Sequence, residues 1–148
     1  VIVGDVRDQS DDRLAPRLLP QLAGELARNV TQLDGVAVFA SEGALGRDSR
    51  REIARRRLPV LRLEAELRTL TRARQDADVS LRVEVTVMLL SREGALRSLM
   101  SGAATGAEPH RGPDRGQELR LAGQALAAAV QSAMSRVPSA LRSAAEAG

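Results

Sequence analysis

The chain has 148 residues, of which 43% are hydrophobic and 28% are charged. This length and balance are typical of one globular domain that can bury a core without disulfides or a structural metal. The sequence has no cysteine, and all 22 of its basic residues are arginine, which excludes thiolate metal sites, cysteine nucleophiles, P-loops and Schiff-base chemistry. Tryptophan and tyrosine are absent too, so the stacking platforms that bind single-stranded nucleic acid are missing.

The first part of the chain predicts a strand, a helix and a second strand. Residues 1–6 are short and β-branched, which predicts a buried strand. Apolar residues spaced by three or four over 14–33 predict an amphipathic helix that ends at Gly35, although Pro20 leaves its start open. Residues 36–40 predict a second strand, and this strand–helix–strand order implies a parallel pair.

The middle of the chain predicts a short helix and three strands. Residues 47–57 are rich in arginine and predict a short surface helix. Apolar and polar residues alternate over 61–68 and again over 79–89, which predicts two long, half-buried strands. After a turn at 91–94, residues 95–105 predict a third strand. We expect these three strands to form an antiparallel meander whose other face is exposed to water.

The last part predicts a polar loop over 106–116, a second amphipathic helix over 115–136 closed by Pro138, and a short Ala-rich tail compatible with a helix. The order β-α-β-(α)-β-β-β-α predicts an α+β fold, with one mixed sheet and two main helices packed on one face. We expect residues 1–148 to form a single α+β domain cut or processed from a longer chain. No apolar run is long enough to predict a transmembrane segment.

Six arginines within eleven residues are the most distinctive local feature of the sequence. This arginine cluster comprises Arg47, Arg50, Arg51, Arg55, Arg56 and Arg57. Such a cluster could bind an anion, either phosphates of nucleic acid or lipid headgroups, or a protein partner. The favoured interpretation is a solvated face with internal ion pairs, because Asp48 and Glu52 offset part of the charge and no aromatic residues are interleaved.

Three other features of the sequence are candidate sites. Four aspartates follow the first strand and could hold a divalent cation, but their spacing does not match a known calcium loop, and helix capping is the favoured role. They are Asp5, Asp8, Asp11 and Asp12. His110 is the only histidine and is interpreted as a solvated loop residue. Residues 102–106 have too few glycines for a phosphate loop and are interpreted as a strand end. We therefore predict no catalytic residue, no metal and no cofactor.

Three segments carry a resemblance to known families: Val3-Gly4-Asp5, residues 33–38, and residues 81–87 before a turn with Gly94. With these motifs, the chain resembles the C-terminal domain of some myxobacterial HEAT-repeat proteins. More remotely, it resembles envelope domains of penicillin-binding-protein activator lipoproteins, the TolB amino-terminal domain and the curli secretion channel. The resemblance covers most of the chain and implies a non-catalytic protein-interaction module, periplasmic or envelope-associated, with the cytoplasm as an alternative. Its motifs mark the fold, so no functional residue is carried over.

Three functions from different classes follow. The first is a non-catalytic module of a cell-envelope or secretion-type assembly that docks a protein partner at an exposed sheet edge or helix face. The alternative is electrostatic binding of nucleic acid or anionic lipid through the arginine cluster. The third is an enzyme that uses the carboxylates of residues 5–12 and a divalent cation. We do not expect an enzyme, because few residues able to carry chemistry are present.

Overall fold

One mixed sheet with helices packed against it makes up the part of the chain that this computed structural model describes, residues 1–110 and 115–147. The predicted α+β fold is confirmed. The elements, in chain order, are β1 (Ile2–Asp8), α1 (Ala15–Thr31), a 3-10 helix (Glu42–Ala44), α2 (Arg47–Arg56), β2 (Leu61–Gln75), β3 (Asp78–Ser91), β4 (Leu96–Pro109), α3 (Arg115–Met134) and α4 (Val137–Ala147).

The sheet has the strand order β1-β2-β3-β4, with β1 parallel to β2 and the other pairs antiparallel. The predicted meander is confirmed, and its strands are longer than expected. β2 and β3 continue to a tight hairpin, where Asp76 adopts the left-handed conformation that aspartate tolerates. β4 extends to Pro109 and takes up the start of the predicted loop over 106–116. Residues 111–114 of that loop lie outside the described residues.

The second predicted strand, residues 36–40, is wrong as a strand. Within this segment only Phe39 forms a bridge to β1, which it meets in the predicted parallel direction. Two backbone hydrogen bonds of 2.9 Å join them, one from Val3 N to Phe39 O and one from Phe39 N to Val1 O. The apolar side chains are explained differently: Val36, Ala37 and Phe39 line a pocket rather than a sheet. A short apolar run in the sequence does not show whether its side chains belong to a strand or to another buried or half-buried segment.

The core lies between the sheet and the helices α1 and α3. α1 contributes its buried stripe of Leu18, Leu22, Leu26 and Val30, and the facing sheet residues include Leu63, Leu67, Val83, Val85 and Val87. α1 begins at Ala15 and runs through Pro20, which lies on its exposed side. The Ala-rich tail forms the helix α4. Pro138 therefore lies in the first turn of α4, where proline is tolerated, rather than closing α3.

Small residues bring α3 close to β4. A Cβ atom on Gly102 would lie 2.7 Å from the backbone nitrogen of Ala133 and closer still to the carbonyl oxygen of Ala129. On Gly106 it would lie 3.1 Å from the carbonyl oxygen of Leu121. The interpretation of residues 102–106 as a strand end is therefore wrong. They lie inside β4, and the two glycines admit the helix backbone.

The second face of the sheet differs from the water-exposed face that we expected. On β4 that face is largely exposed, at Leu99 and Ser101 for example. On β2, however, Glu64 and Glu66 are only 7% and 8% exposed. Arginines neutralise them: Arg7 and Arg62 each lie 3.6 Å from Glu64, and Arg68 lies 3.3 Å from Glu66. Alternation located these glutamates on the correct face, but it could not show how far neighbouring side chains cover them.

Candidate functional site

The arginine cluster lies on α2 and directly after it. Arg57 ends the helix in the left-handed conformation. All six arginines are exposed, and α2 has no buried residue. The predicted surface helix over 47–57 is thus confirmed. A ten-residue helix with no buried side chain adds little to the core and is available to contact something else.

Half of the arginine cluster is engaged within the chain. Arg55 and Arg56 pair with Glu52 at 2.7 and 3.3 Å. The Nε atom of Arg50 donates to the carbonyl oxygen of Leu45 at 3.1 Å. The other three make no ion pair with any described residue; they are Arg47, Arg51 and Arg57. The cluster is therefore partly an internally paired face, as expected, and partly a set of free cations.

The outer edge of β4 borders a groove. β4 is the last strand of the sheet, and no strand within residues 1–110 and 115–147 pairs with its second edge. Between this edge and the neighbouring helix lies a cavity of about 700 Å³, which we call the edge groove. Residues 97–100 of β4 form one wall. The other wall is formed by Ser135, Arg136, Ser139, Ala140, Ser143 and Ala144.

A second cavity, of about 790 Å³, lies where the segment after α1 meets α2 and α4. We call it the corner pocket. Its lining is mainly apolar and includes Ile2, Phe39, Leu45, Ile53, Leu58 and Leu141. Arg56 and Arg142 also line it. One member of the arginine cluster, Arg56, thus belongs to this pocket.

Two of the four aspartates in residues 5–12 have side-chain hydrogen bonds. Asp8 accepts hydrogen bonds from the backbone nitrogen and hydroxyl of Ser10 at 2.8 and 2.6 Å. Asp12 accepts from the backbone nitrogen of Leu14, just before α1, and pairs with both terminal nitrogens of Arg72 at 2.6 and 2.9 Å. The hydrogen bonds from Arg72 lower the pKa of Asp12.

The predicted helix cap is wrong, because the N-cap residue of α1 is Leu14 and no side chain caps the helix. Asp12 instead holds Leu14, the residue before the helix. Among residues 1–110 and 115–147, no three acidic or histidine side chains are placed to hold a metal ion. His110 is exposed, and its backbone nitrogen donates to Ala77 O at 2.7 Å, which ties the end of β4 to the β2–β3 hairpin.

Sequence reasoning missed both cavities. For the edge groove a local signal exists, because small residues recur every four positions in the tail, at Ser139 and Ser143 and at Ala140 and Ala144. That spacing places small side chains on one helix face, but it does not reveal which strand they face. For the corner pocket no local signal exists, because its walls come from distant parts of the chain.

Two solved structures share this fold over nearly the whole chain. A hypothetical protein from Chlamydia trachomatis has a TM-score of 0.60 at 15% identity, covering 92% of this chain and 93% of its own. A minor lipoprotein from Acinetobacter baumannii has a TM-score of 0.59 at 16% identity, covering 95% of this chain and 92% of its own. At such identities the likeness shows the fold alone.

No protein-family model matches the chain, and no curated protein matches it in sequence. The predicted resemblance to HEAT-repeat proteins is not supported by these comparisons. A fold of the kind expected is thus present in a bacterial lipoprotein. Within the described residues, no helix combines the length and the hydropathy needed to cross a membrane.

Proposed function

We propose that this chain is a non-catalytic protein-interaction module of a bacterial cell-envelope or secretion-type assembly, and that it binds an extended segment of a protein partner at the edge groove. The observation that carries the proposal is the outer edge of β4, which has a cavity beside it. A free strand edge offers backbone donors and acceptors to an incoming strand. The fold shared with a lipoprotein supports the envelope setting.

The length and composition of β4 favour strand addition. The strand has 14 residues, long enough to pair with a partner segment over several residues. Leu96 and Leu99 are 56% and 55% exposed, on the face of the sheet opposite α1 and α3. An added strand would cover these leucines on one face and would face α4 on the other. Exposed leucines at a free edge promote aggregation unless a partner covers them.

The charge of the edge groove specifies the partner further. Arg97 and Arg136 line the groove, and neither makes an ion pair with a described residue. The wall formed by α4 has serine and alanine side chains, which leave room for larger side chains of the ligand. We therefore expect a segment with alternating apolar side chains and at least one carboxylate, since guanidinium groups bind carboxylates in defined geometry.

The role is proposed without catalysis because the sequence has no Cys, Lys, Tyr or Trp and a single His. These residue types supply most nucleophiles and acid–base groups, so binding is the simpler role for the remaining side chains.

Panning a displayed library of random ten-residue peptides against the chain tests the proposal. We expect enrichment of peptides with alternating apolar residues and an acidic residue. Ser143→Trp should weaken their binding at least tenfold because the indole fills the edge groove. Glu146→Trp is the matched control, since Glu146 is exposed on the same helix and does not line either cavity. Equal binding by both variants would contradict the proposal.

A second measurement distinguishes strand addition from side-chain binding. The backbone nitrogens of an enriched peptide are methylated one at a time. In an added strand, alternate N–H groups bond to β4, so methylation should abolish binding at every second position only. Loss of binding at no position, or at all positions equally, would show that the peptide does not pair with β4.

The free members of the arginine cluster favour a second candidate, binding to an anionic surface of lipid or nucleic acid. Its prediction is an affinity for phosphatidylglycerol vesicles or duplex DNA that falls steeply with salt. Replacing Arg47, Arg51 and Arg57 by glutamine should remove that affinity. A salt-insensitive interaction, or one that the triple variant retains, would exclude this candidate.

A further inference from the structure

The corner pocket is separate from the edge groove and has the character of a ligand site. Its volume of about 790 Å³ lies within the range of roughly 300 to 1,000 Å³ in which proteins bind small molecules. Its walls come from five parts of the chain: the start of β1, the segment after α1, Leu45 after the 3-10 helix, α2 with the residues that follow it, and α4. The lining is mainly apolar with few polar groups, as is usual for such sites.

The apolar lining is incompletely covered. Phe39 is the only aromatic residue of the chain and is only partly buried, as is Ile53 of α2. Leu58, directly after the arginine cluster, is 38% exposed. Apolar side chains of this size normally pack to near-crystal density in a core. Here they surround a cavity instead, and an apolar ligand would remove their surface from water.

The charged groups of the corner pocket are mostly cationic. Arg56 and Arg142 approach it from two different helices, and both are exposed, so they lie where the pocket opens to solvent. Arg142 makes no ion pair with any residue in the described ranges. The i, i+4 contact of Arg56 with Glu52 is a surface pair worth little. Asp34 is the one acidic side chain in the lining.

From this combination we infer that the corner pocket binds a single-chain anionic amphiphile of the fatty-acid type. The alkyl chain lies against Phe39, Ile53 and Leu141, and the carboxylate is bound by Arg56 and Arg142. The apolar lining accounts for the alkyl chain, and the two exposed arginines in that lining account for the anionic head. The ligand is a free monomeric amphiphile rather than a lipid held in a bilayer, because the site is a cavity and not a flat surface.

The chain itself supplies a way to measure this binding. Because tryptophan and tyrosine are absent, Phe39→Trp places one fluorophore in the corner pocket. Titration with octanoate, decanoate and dodecanoate, each below its micelle-forming concentration, should shift its emission to shorter wavelength. Burial of each methylene contributes a roughly fourfold gain in affinity, so two carbons should add about 15-fold. Isothermal titration calorimetry of the unmodified chain provides the same series without a label.

Paired variants test the role of the two arginines. The double variant Arg56→Gln with Arg142→Gln should lower the affinity for decanoate at least tenfold. Arg47→Gln with Arg51→Gln is the matched control, because it removes the same charge from exposed positions that do not line the corner pocket. Thermal melting of each variant without ligand verifies that it is folded.

Four results would overturn the inference. Decanol or decyltrimethylammonium could bind as tightly as decanoate, which would deny a cation-lined opening. The affinity could be independent of chain length, which would deny an apolar site. The two double arginine variants could lower the affinity for decanoate equally, which would mean that the net charge of the chain, and not the lining of the corner pocket, attracts the carboxylate. Finally, the chain could bind phosphatidylglycerol vesicles but no monomeric carboxylate, which would make it a membrane-surface protein instead.

Discussion

Gly102 shows how much a single residue can determine in this fold. The backbone of α3 lies so close to β4 that a Cβ atom at this position would overlap with the carbonyl oxygen of Ala129. Backbone atoms of a packed helix cannot move aside cheaply, unlike the end of a flexible side chain. Gly24, on the exposed side of α1, has no atom within 4 Å of the same hypothetical Cβ.

Replacing these two glycines by alanine should change the stability of the chain in opposite directions. Gly102→Ala should lower the free energy of unfolding by about 3 kcal/mol or more through overpacking. Gly24→Ala should raise it by about 0.5 to 1 kcal/mol, because alanine has the higher helix propensity. Urea denaturation of both variants measures the difference. A Gly102→Ala variant as stable as the unmodified chain would show that α3 does not approach β4 this closely.

Pro20 is a second residue whose effect on stability follows from its position in a helix. It lies inside α1 on the exposed side, where proline removes a backbone hydrogen bond to the preceding turn. Pro20→Ala should therefore raise the free energy of unfolding by about 1 to 3 kcal/mol. Thermal denaturation provides the measurement, and Pro16→Ala, in the first turn, is the control that should change little.

At the scale of elements, a network of ion pairs joins three parts of the fold. Arg72 of β2 binds Asp12, before α1, and its Nε atom lies 3.3 Å from Glu118 of α3. Arg13 binds the second oxygen of Glu118 at 2.6 Å. The network therefore ties the start of α1 and the start of α3 to the part of the β2–β3 hairpin near its turn.

The network predicts a pH dependence of stability. The pKa of Asp12 is lowered in the folded state, chiefly by its hydrogen bonds from Arg72. Its contribution is therefore complete above the unfolded pKa of about 3.9 and is lost as pH falls through the lower folded value. Asp12→Asn should destabilise the chain at pH 7, and its effect should shrink steadily as the pH falls below about 3.9. Urea denaturation at pH 7 and at a series of values below about 3.9 provides the measurement; an effect that does not change with pH would contradict this origin.

At the scale of the whole molecule, stability is distributed unevenly. β3 pairs along both edges and lies under α3, whereas α2 has no buried residue. Amides open by local unfolding at a cost set by the contacts that are lost. In hydrogen exchange we expect α2 to exchange fastest among the four α-helices and β3 slowest among the strands. Protection of α2 equal to that of α1 would show that α2 is packed more firmly than its exposure indicates.

How far the sequence could predict this molecule depends on the feature. The alternation at Leu61, Leu63 and Leu67 predicted a half-buried strand correctly, and the arginines of residues 47–57 predicted an exposed helix correctly. The strand predicted over residues 36–40 is wrong, because apolar side chains of this segment line the corner pocket and its backbone does not join the sheet as a strand. The arginine cluster lies on an exposed surface, as predicted, but the sequence did not connect Arg142 with it, because 86 residues separate Arg142 from Arg56.

The sequence by itself determined that β1 to β4 and α1 to α3 form, and with them the α+β class, because hydrophobic periodicity is a local property that each element carries alone. Only the tertiary structure decided that β4 is an outer strand, that α4 lies beside it, and that distant apolar residues surround the corner pocket. Strand order and cavity shape arise from contacts between segments far apart in the chain. Periodicity within a segment does not specify such contacts, and both proposed binding sites depend on them.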